Sequence, residues 1–261
     1  MTSTVALGVF AHPDDDVFAM GGVLAQAGDL ATTLVFATSG DAGPITEGSS
    51  ATRETLAEVR ETEQAEALRA LGVASTTTSV FLRHPDYHLP RVPFEKLVDE
   101  VAGEMRRALP HTVVTFGPDG ITSHHDHIRA GEAATEAFHR LRGDAPPGAF
   151  ERLLYAALSR TDVDRLYRTL VDEGSTEYGE EGQLFNMTGV PDDTIAIRQD
   201  ITAVRERKLA AIDAHRTQRV EWERLPASVR WIYLEAECFV QAWPPLEPGA
   251  PVADRFPVEA R

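Results

Sequence analysis

The chain has 261 residues, with 25 basic and 41 acidic side chains and a formal net charge of −16 at pH 7. A negative field of that size repels phosphate backbones and anionic lipid surfaces, which argues against nucleic acid or an acidic membrane as a partner. Its one cysteine, Cys238, excludes an internal disulfide framework and a cysteine-built zinc site.

No apolar run reaches the roughly 18 residues of a membrane span, and no charged-apolar-small leader opens the sequence. A cytoplasmic protein is therefore expected. The length suits one large domain, or one domain with a smaller appendage. The division expected here is a core over residues 1–160 and a C-terminal portion over residues 161–261 that completes the pocket.

In chain order, Val5 to Ala11 reads as a buried strand, followed by a helical pattern over Val17 to Leu24. Thr32 to Thr38 is a second strand. Arg53 to Leu71 is a helix with an apolar stripe through Leu56, Val59, Ala67, Leu68 and Leu71, and Gly72 stops it. Val80 to Leu82 is a short strand, Phe94 to Leu109 a helix, Thr112 to Phe116 a strand and Ile128 to Leu141 a helix. Leu153 to Leu158 is a fifth strand. Beyond it come a helix over Asp162 to Asp172, a polar Gly/Glu-rich stretch, a strand over Thr194 to Ile197 and a helix over Ile201 to His215. The Pro-rich tail from Pro244 reads as irregular, and the segment around Cys238 as packing. Such alternation predicts an α/β, Rossmann-like, mostly parallel sheet with helices on both faces, plus a smaller C-terminal α/β portion. Ligands in such folds sit beyond the carboxyl ends of the strands, where strand order reverses.

Two polar clusters fall at such ends. The first strand runs into His12-Pro13-Asp14-Asp15-Asp16. Read alone, this serves equally well as a helix start, because Pro and acidic residues suit a first turn. The fourth strand is followed by Ser123-His124-His125-Asp126-His127. Together the clusters offer the imidazoles and carboxylates of a catalytic zinc site with an open position. His12 and Asp15, three apart, can face one ion, and His127 completes the set. Asp14 is left beside the metal, placed to take a proton from bound water.

The motifs His12-Pro13-Asp14-Asp15 and His124-His125-Asp126-His127 resemble those of the PIG-L or LmbE-like deacetylases. Arg60-Glu61-Thr62-Glu63 with Leu71-Gly72-Val73, and Lys208 to Ala211 with His215-Arg216-Thr217-Gln218, are similar to further elements of that family. The resemblance implies a zinc-dependent hydrolase, with Fe2+ as an alternative metal, that removes an acetyl or acyl group from an N-acetylglucosamine-type conjugate. It implies metal ligation by His12, Asp15 and His127, and proton transfer by Asp14. A protonated His124, oriented by Asp126, would face the oxyanion. It further implies substrate contacts from Arg60 and Asp86, with solvated-face and turn roles as their bland counterparts. His215 either approaches the site or caps its helix. The chain departs from the family pattern at Asp16 (usually Glu), His125 (often Pro) and Thr122 (Tyr in some members). A mycothiol-conjugate-type amidase or an inactive binding protein would share the same core. A dinucleotide-binding enzyme is disfavoured, since no Gly-x-Gly-x-x-Gly follows the first strand. The partner expected is a small amino-sugar conjugate, and apolar residues in the C-terminal third leave room for a homo-oligomer.

Overall fold

In the computed structural model, which describes residues 5–174, 187–247 and 249–257, the apolar runs become strands of one seven-stranded sheet. They are β1 (Val5–Phe10), β2 (Ala31–Thr38), β3 (Thr77–His84), β4 (Thr112–Phe116), β5 (Arg152–Ala157), β6 (Ile197–Asp200) and β7 (Ala236–Trp243). The spatial order is β3-β2-β1-β4-β5-β7-β6. The first five strands are parallel, and β7 runs antiparallel to both β5 and β6. β4 is buried along its whole length and β1 along all but its first residue. This is the continuous apolar signature of strands covered on both faces.

The helices are α1 (Asp15–Ala27), α2 (Leu56–Leu71), α3 (Phe94–Ala108), the short α4 (Gly120–Ser123), α5 (His125–Arg142), α6 (Arg160–Asp172), α7 (Arg205–Ala214), α8 (Arg219–Arg224) and α9 (Ala227–Tyr233). α3 and α5 pack together and touch β1, while α1 reaches β1 in the company of α2 and α7. These two groups cover the two faces of the sheet.

Strand order reverses between β1 and β4: the chain lays β2 and β3 to one side of β1, then crosses back to place β4 on the other. The carboxyl ends of those two strands flank the crevice in which α/β sheets hold ligands. Among the described residues beyond 160, β6 and β7 join the same sheet.

Three readings of the sequence change. The segment around Cys238 is a strand, β7, which the single cysteine and flanking glutamate hid. The strand predicted over Thr194 to Ile197 starts only at Ile197, because Asp192–Thr194 is a 3₁₀ turn and pairing begins where Ile197 meets Phe239. The helix predicted over Ile201 to His215 divides into a 3₁₀ turn, Thr202–Val204, and α7. Among the described residues from Pro244 onward the tail is irregular as expected, apart from one bridge that pairs Ala253 with Ile197.

One polar device ties the C-terminal portion to α1. The Glu237 carboxylate accepts the N–H of Gly22 at 2.7 Å and of Val23 at 2.8 Å, and takes a 2.7 Å ion pair from Lys208. Lys208 donates in turn to the Phe18 carbonyl at 3.0 Å, one turn back along the helix. Position 22 needs glycine, since a Cβ there would lie 2.6 Å from Ile201. Both charged side chains are 2% exposed. Such a pair contributes little over an apolar substitute, yet removing one partner strands a buried charge at a cost of about 3–5 kcal/mol. Lys208→Met is therefore expected to lower unfolding free energy in urea by about that amount. A loss below about 1 kcal/mol would show that the pair does not anchor α1.

Candidate active site

β1 delivers His12 at its mouth, and α1 begins immediately, so Asp14 and Asp15 arrive at the start of its first turn. The turn is tight: Asp14 adopts φ 116°, ψ −33°, in a region that non-glycine residues avoid. The surroundings hold it there. Asp15 Oδ2 accepts the backbone N–H of His12 at 2.7 Å, and Arg60 donates to the Pro13 carbonyl at 2.6 Å and to Asp14 Oδ2 at 3.1 Å. The same guanidinium donates to the Gly40 carbonyl at 3.0 Å. A side chain at position 40 would meet it at 2.1 Å, on a backbone already at φ 68°. Arg60 is 3% exposed, so it is a buried clamp on the Asp14 loop and not a solvated helix residue.

From β4 the chain passes through α4 into α5, whose first turn is His125-Asp126-His127. His124 is the N-cap, its Nδ1 accepting the Asp126 N–H at 3.2 Å. The imidazoles of His12, His124 and His127 gather with centroids 4.8–5.2 Å apart. Their ring nitrogens can come within 4.8 Å of one another.

The hydrogen bonds fix which nitrogen faces the centre. His127 Nδ1 lies 3.0 Å from the Gly120 carbonyl, which can only accept, so Nδ1 carries a hydrogen and Nε2 is the nitrogen turned to the centre, 3.3 Å from Asp15 Oδ1. The ring is braced by Phe116, stacked at 4.2 Å and 4°. His12 Nε2 lies 3.0 Å from Asp86 Oδ1 and 3.6 Å from Asp126 Oδ2, while its Nδ1 faces Asp15 Oδ2 at 3.5 Å. Two imidazoles directed at one carboxylate call for positive charge among them, which a proton on His12 or a bound cation supplies. Carboxylates behind a histidine are the usual partners of a metal-ligating imidazole.

Electrostatics point the same way. Burial opposes charge on His12, yet Asp126, Asp15 and Asp86 hold its pKa well above the ordinary imidazole value. Burial likewise opposes charge on Asp15, but His127 and His12 draw its pKa well below the carboxylate range. Asp86, against its burial, is drawn to about 2 by His12 and the Ala42 N–H. Asp14 goes the other way. Burial raises it to about 6, the charge of Arg60 lowering it and that of Asp15 adding to the rise. A divalent cation fits this cluster, in which His12, His124 and His127 form one group of donors and His12, Asp86 and Asp126 another.

The structure thus brings together His12, Asp14, Asp15, Arg60, Asp86, His124, Asp126 and His127. Some of them stand differently from the sequence reading. The Asp126 carboxylate accepts the N–H groups of Tyr87 at 2.8 Å and Leu89 at 3.1 Å and faces His12. Its backbone N–H, not its side chain, bonds to His124. Burial, with the charges of His12 and His127, holds His124 down at about 4, so the ring is neutral at pH 7, with its hydrogen on Nε2. Asp86, 3% exposed, is engaged with His12 and the backbone. His215 is buried at the end of α7, and neither ring nitrogen has a partner among the described residues. Tyr87 escaped the sequence reading. It packs edge-on against His124 at 5.0 Å, and its only signal was adjacency to Asp86.

The mostly parallel sheet carries at its switch point a His/Asp cluster that could hold a metal ion. Residues 7–138 match the family model described as PIG-L, GlcNAc-PI de-N-acetylase. A 1D-myo-inositol 2-acetamido-2-deoxy-alpha-D-glucopyranoside deacetylase from Saccharomonospora viridis is 31% identical over 230 residues, covering 80% of this chain and 83% of the relative. The chain belongs to the PIG-L family. Two solved structures share the fold. One is the N,N'-diacetylchitobiose deacetylase of Pyrococcus horikoshii (TM-score 0.62, 24% identity, 95% of this chain and 85% of that one). The other is the 4-carboxy-2-hydroxymuconate hydratase of Pseudomonas putida (TM-score 0.64, 20% identity, 94% and 98%).

Burial, then the charge of Arg60, pushes His215 down to about 3. Its pKa is thus lower in the folded chain than when unfolded, so the unfolded chain binds the extra proton between about pH 3 and 6.5. Stability should accordingly rise with pH across that window and lose this contribution as pH falls through it. In urea titrations the stability of wild type minus that of His215→Gln should grow from about pH 3 to about pH 6.5 and then level off. A difference constant over that range would show that His215 titrates normally in the fold.

Proposed function

We propose that this protein is a zinc-dependent N-deacetylase that hydrolyses the amide of an N-acetylglucosamine-type amino sugar conjugate. The observation that carries the reading is the convergence of His12 Nδ1, His127 Nε2 and both Asp15 oxygens at 3.3–3.5 Å, with the strained Asp14 beside them. Two imidazoles and a carboxylate with open positions are the donor set of a catalytic zinc, and one that Fe2+ also accepts. Bound there, the metal supplies a Lewis acid and makes water acidic enough to attack at neutral pH.

The chain's own groups do the rest. Asp14, held by Arg60 and with a pKa raised towards neutrality, takes a proton from the attacking water as the new C–O bond forms. His124, neutral, donates its Nε2 hydrogen to the oxygen on which negative charge develops. Asp14 then returns the proton to the nitrogen as the C–N bond breaks, releasing carboxylate and amine. Asp86 and Asp126 keep His12 turned so that Nδ1 faces the cation site, which makes them positioning residues. Arg60 enters the proposal as a group that shapes the pocket wall, with Gln218 beside it, and His215 as a buried group behind that wall.

Amine release from N-acetylglucosamine and its glycosides is the direct test. Asp14→Asn should lower kcat about 10²–10⁴-fold without reducing bound metal, and full turnover by this variant would sink the role assigned to Asp14. The rate should also fall on the acid side as Asp14 is protonated. Because a bound cation lowers the pKa of a neighbouring carboxyl, the midpoint should lie at or below about 6. A rate independent of pH down to 4 would contradict a carboxylate base.

A further inference from the structure

The cavity at the histidines, about 360 Å³, has walls of opposite character. Asp14, Arg60 and Gln218 form a polar part beside the histidines. Away from the metal residues the walls are Phe18, Leu158, Leu166, Trp222, Ile232 and Tyr233. Phe18, Trp222 and Tyr233 form a chain of edge-on rings with centroids 5.6 and 5.8 Å apart.

The charged side chains bordering this apolar arm are already engaged. Lys208 and Glu237 neutralise each other and are hydrogen-bonded into α1. Asp162 is taken by Arg198 at 2.5 Å. What the arm presents to a ligand is therefore methylene and ring surface, together with the buried indole Nε1 of Trp222, which has no partner among the described residues. Ile121, a β-branched residue at φ 62°, also lines the cavity. That conformation costs energy and persists only where surrounding packing enforces it.

Resting on the deacetylase reading, we propose that the substrate is amphipathic: its amino sugar sits at the polar part beside the histidines while an apolar substituent of several carbons fills this arm. Either an N-acyl chain longer than acetyl or an apolar aglycone would supply that group, and two substrate series separate them. One runs from N-acetyl to N-octanoyl glucosamine; the other runs from methyl to octyl glycosides of N-acetylglucosamine. Each buried methylene is worth up to about fourfold. In the series that places its chain in the arm, kcat/KM should rise at least about tenfold from the shortest to the longest member. Phe18→Ser, at a position 40% exposed and so tolerant of exchange, should compress that ratio several-fold.

Calorimetry on the Asp14→Asn variant reads the arm without turnover. The long-chain ligand of the favoured series should bind at least tenfold more tightly than its short counterpart, with a negative heat-capacity change. Equal affinity and flat rates in both series would overturn the proposal. Absence of amine release from every compound would instead sink the deacetylase reading, and the calorimetric comparison would still decide the arm.

Discussion

Around His12 the chain collects the carboxylates of Asp15, Asp86 and Asp126 at hydrogen-bonding or ion-pairing distance, in a pocket where Asp86 is 3% exposed and Asp126 not exposed at all. Burying an isolated carboxylate costs several kcal/mol even after relaxation, and three cannot be gathered without compensating positive charge. Backbone N–H groups meet part of that need at Asp86 and Asp126. His12, which these carboxylates hold well above the ordinary imidazole pKa, brings positive charge into the cluster, and the cation proposed between His12 Nδ1, His127 Nε2 and Asp15 would add to it. This balance of charge joins the mouths of β1 and β4, the strained first turn of α1 and the histidine cap of α5.

The strain has to be held from outside. Arg60 from α2 pins the Asp14 loop through one carboxylate oxygen and two backbone carbonyls, and Gly40 leaves room for its guanidinium. The Lys208–Glu237 pair grips α1 two turns further on. Catalytic geometry in the core is in this way fixed by residues distant in sequence, the farthest contributed by the last strand. The same fold also carries a hydratase, so the site and not the sheet decides the chemistry.

Most of the sheet was legible because β1, β2 and β4 are covered on both faces and read as unbroken apolar runs. β7 was not, since Glu237 and Cys238 interrupt the pattern, and Glu237 is buried only by virtue of Lys208. The two histidine clusters were legible as a site because both follow predicted strands. The direction of each side chain was not. Nothing in His124-His125-Asp126-His127 tells that Asp126 turns towards His12, or that Arg60, on a helix that looks solvated, would be buried. Those facts depend on backbone groups of Tyr87, Leu89, Pro13 and Gly40, which have no side-chain signature.

Elemental analysis of the purified chain beside Asp15→Ala tests the cation site most directly. The account predicts about one divalent equivalent per chain in the wild type and its loss in the variant, with the fold retained. A variant that keeps the metal at full occupancy, or a wild type that takes up none from excess zinc, would contradict it.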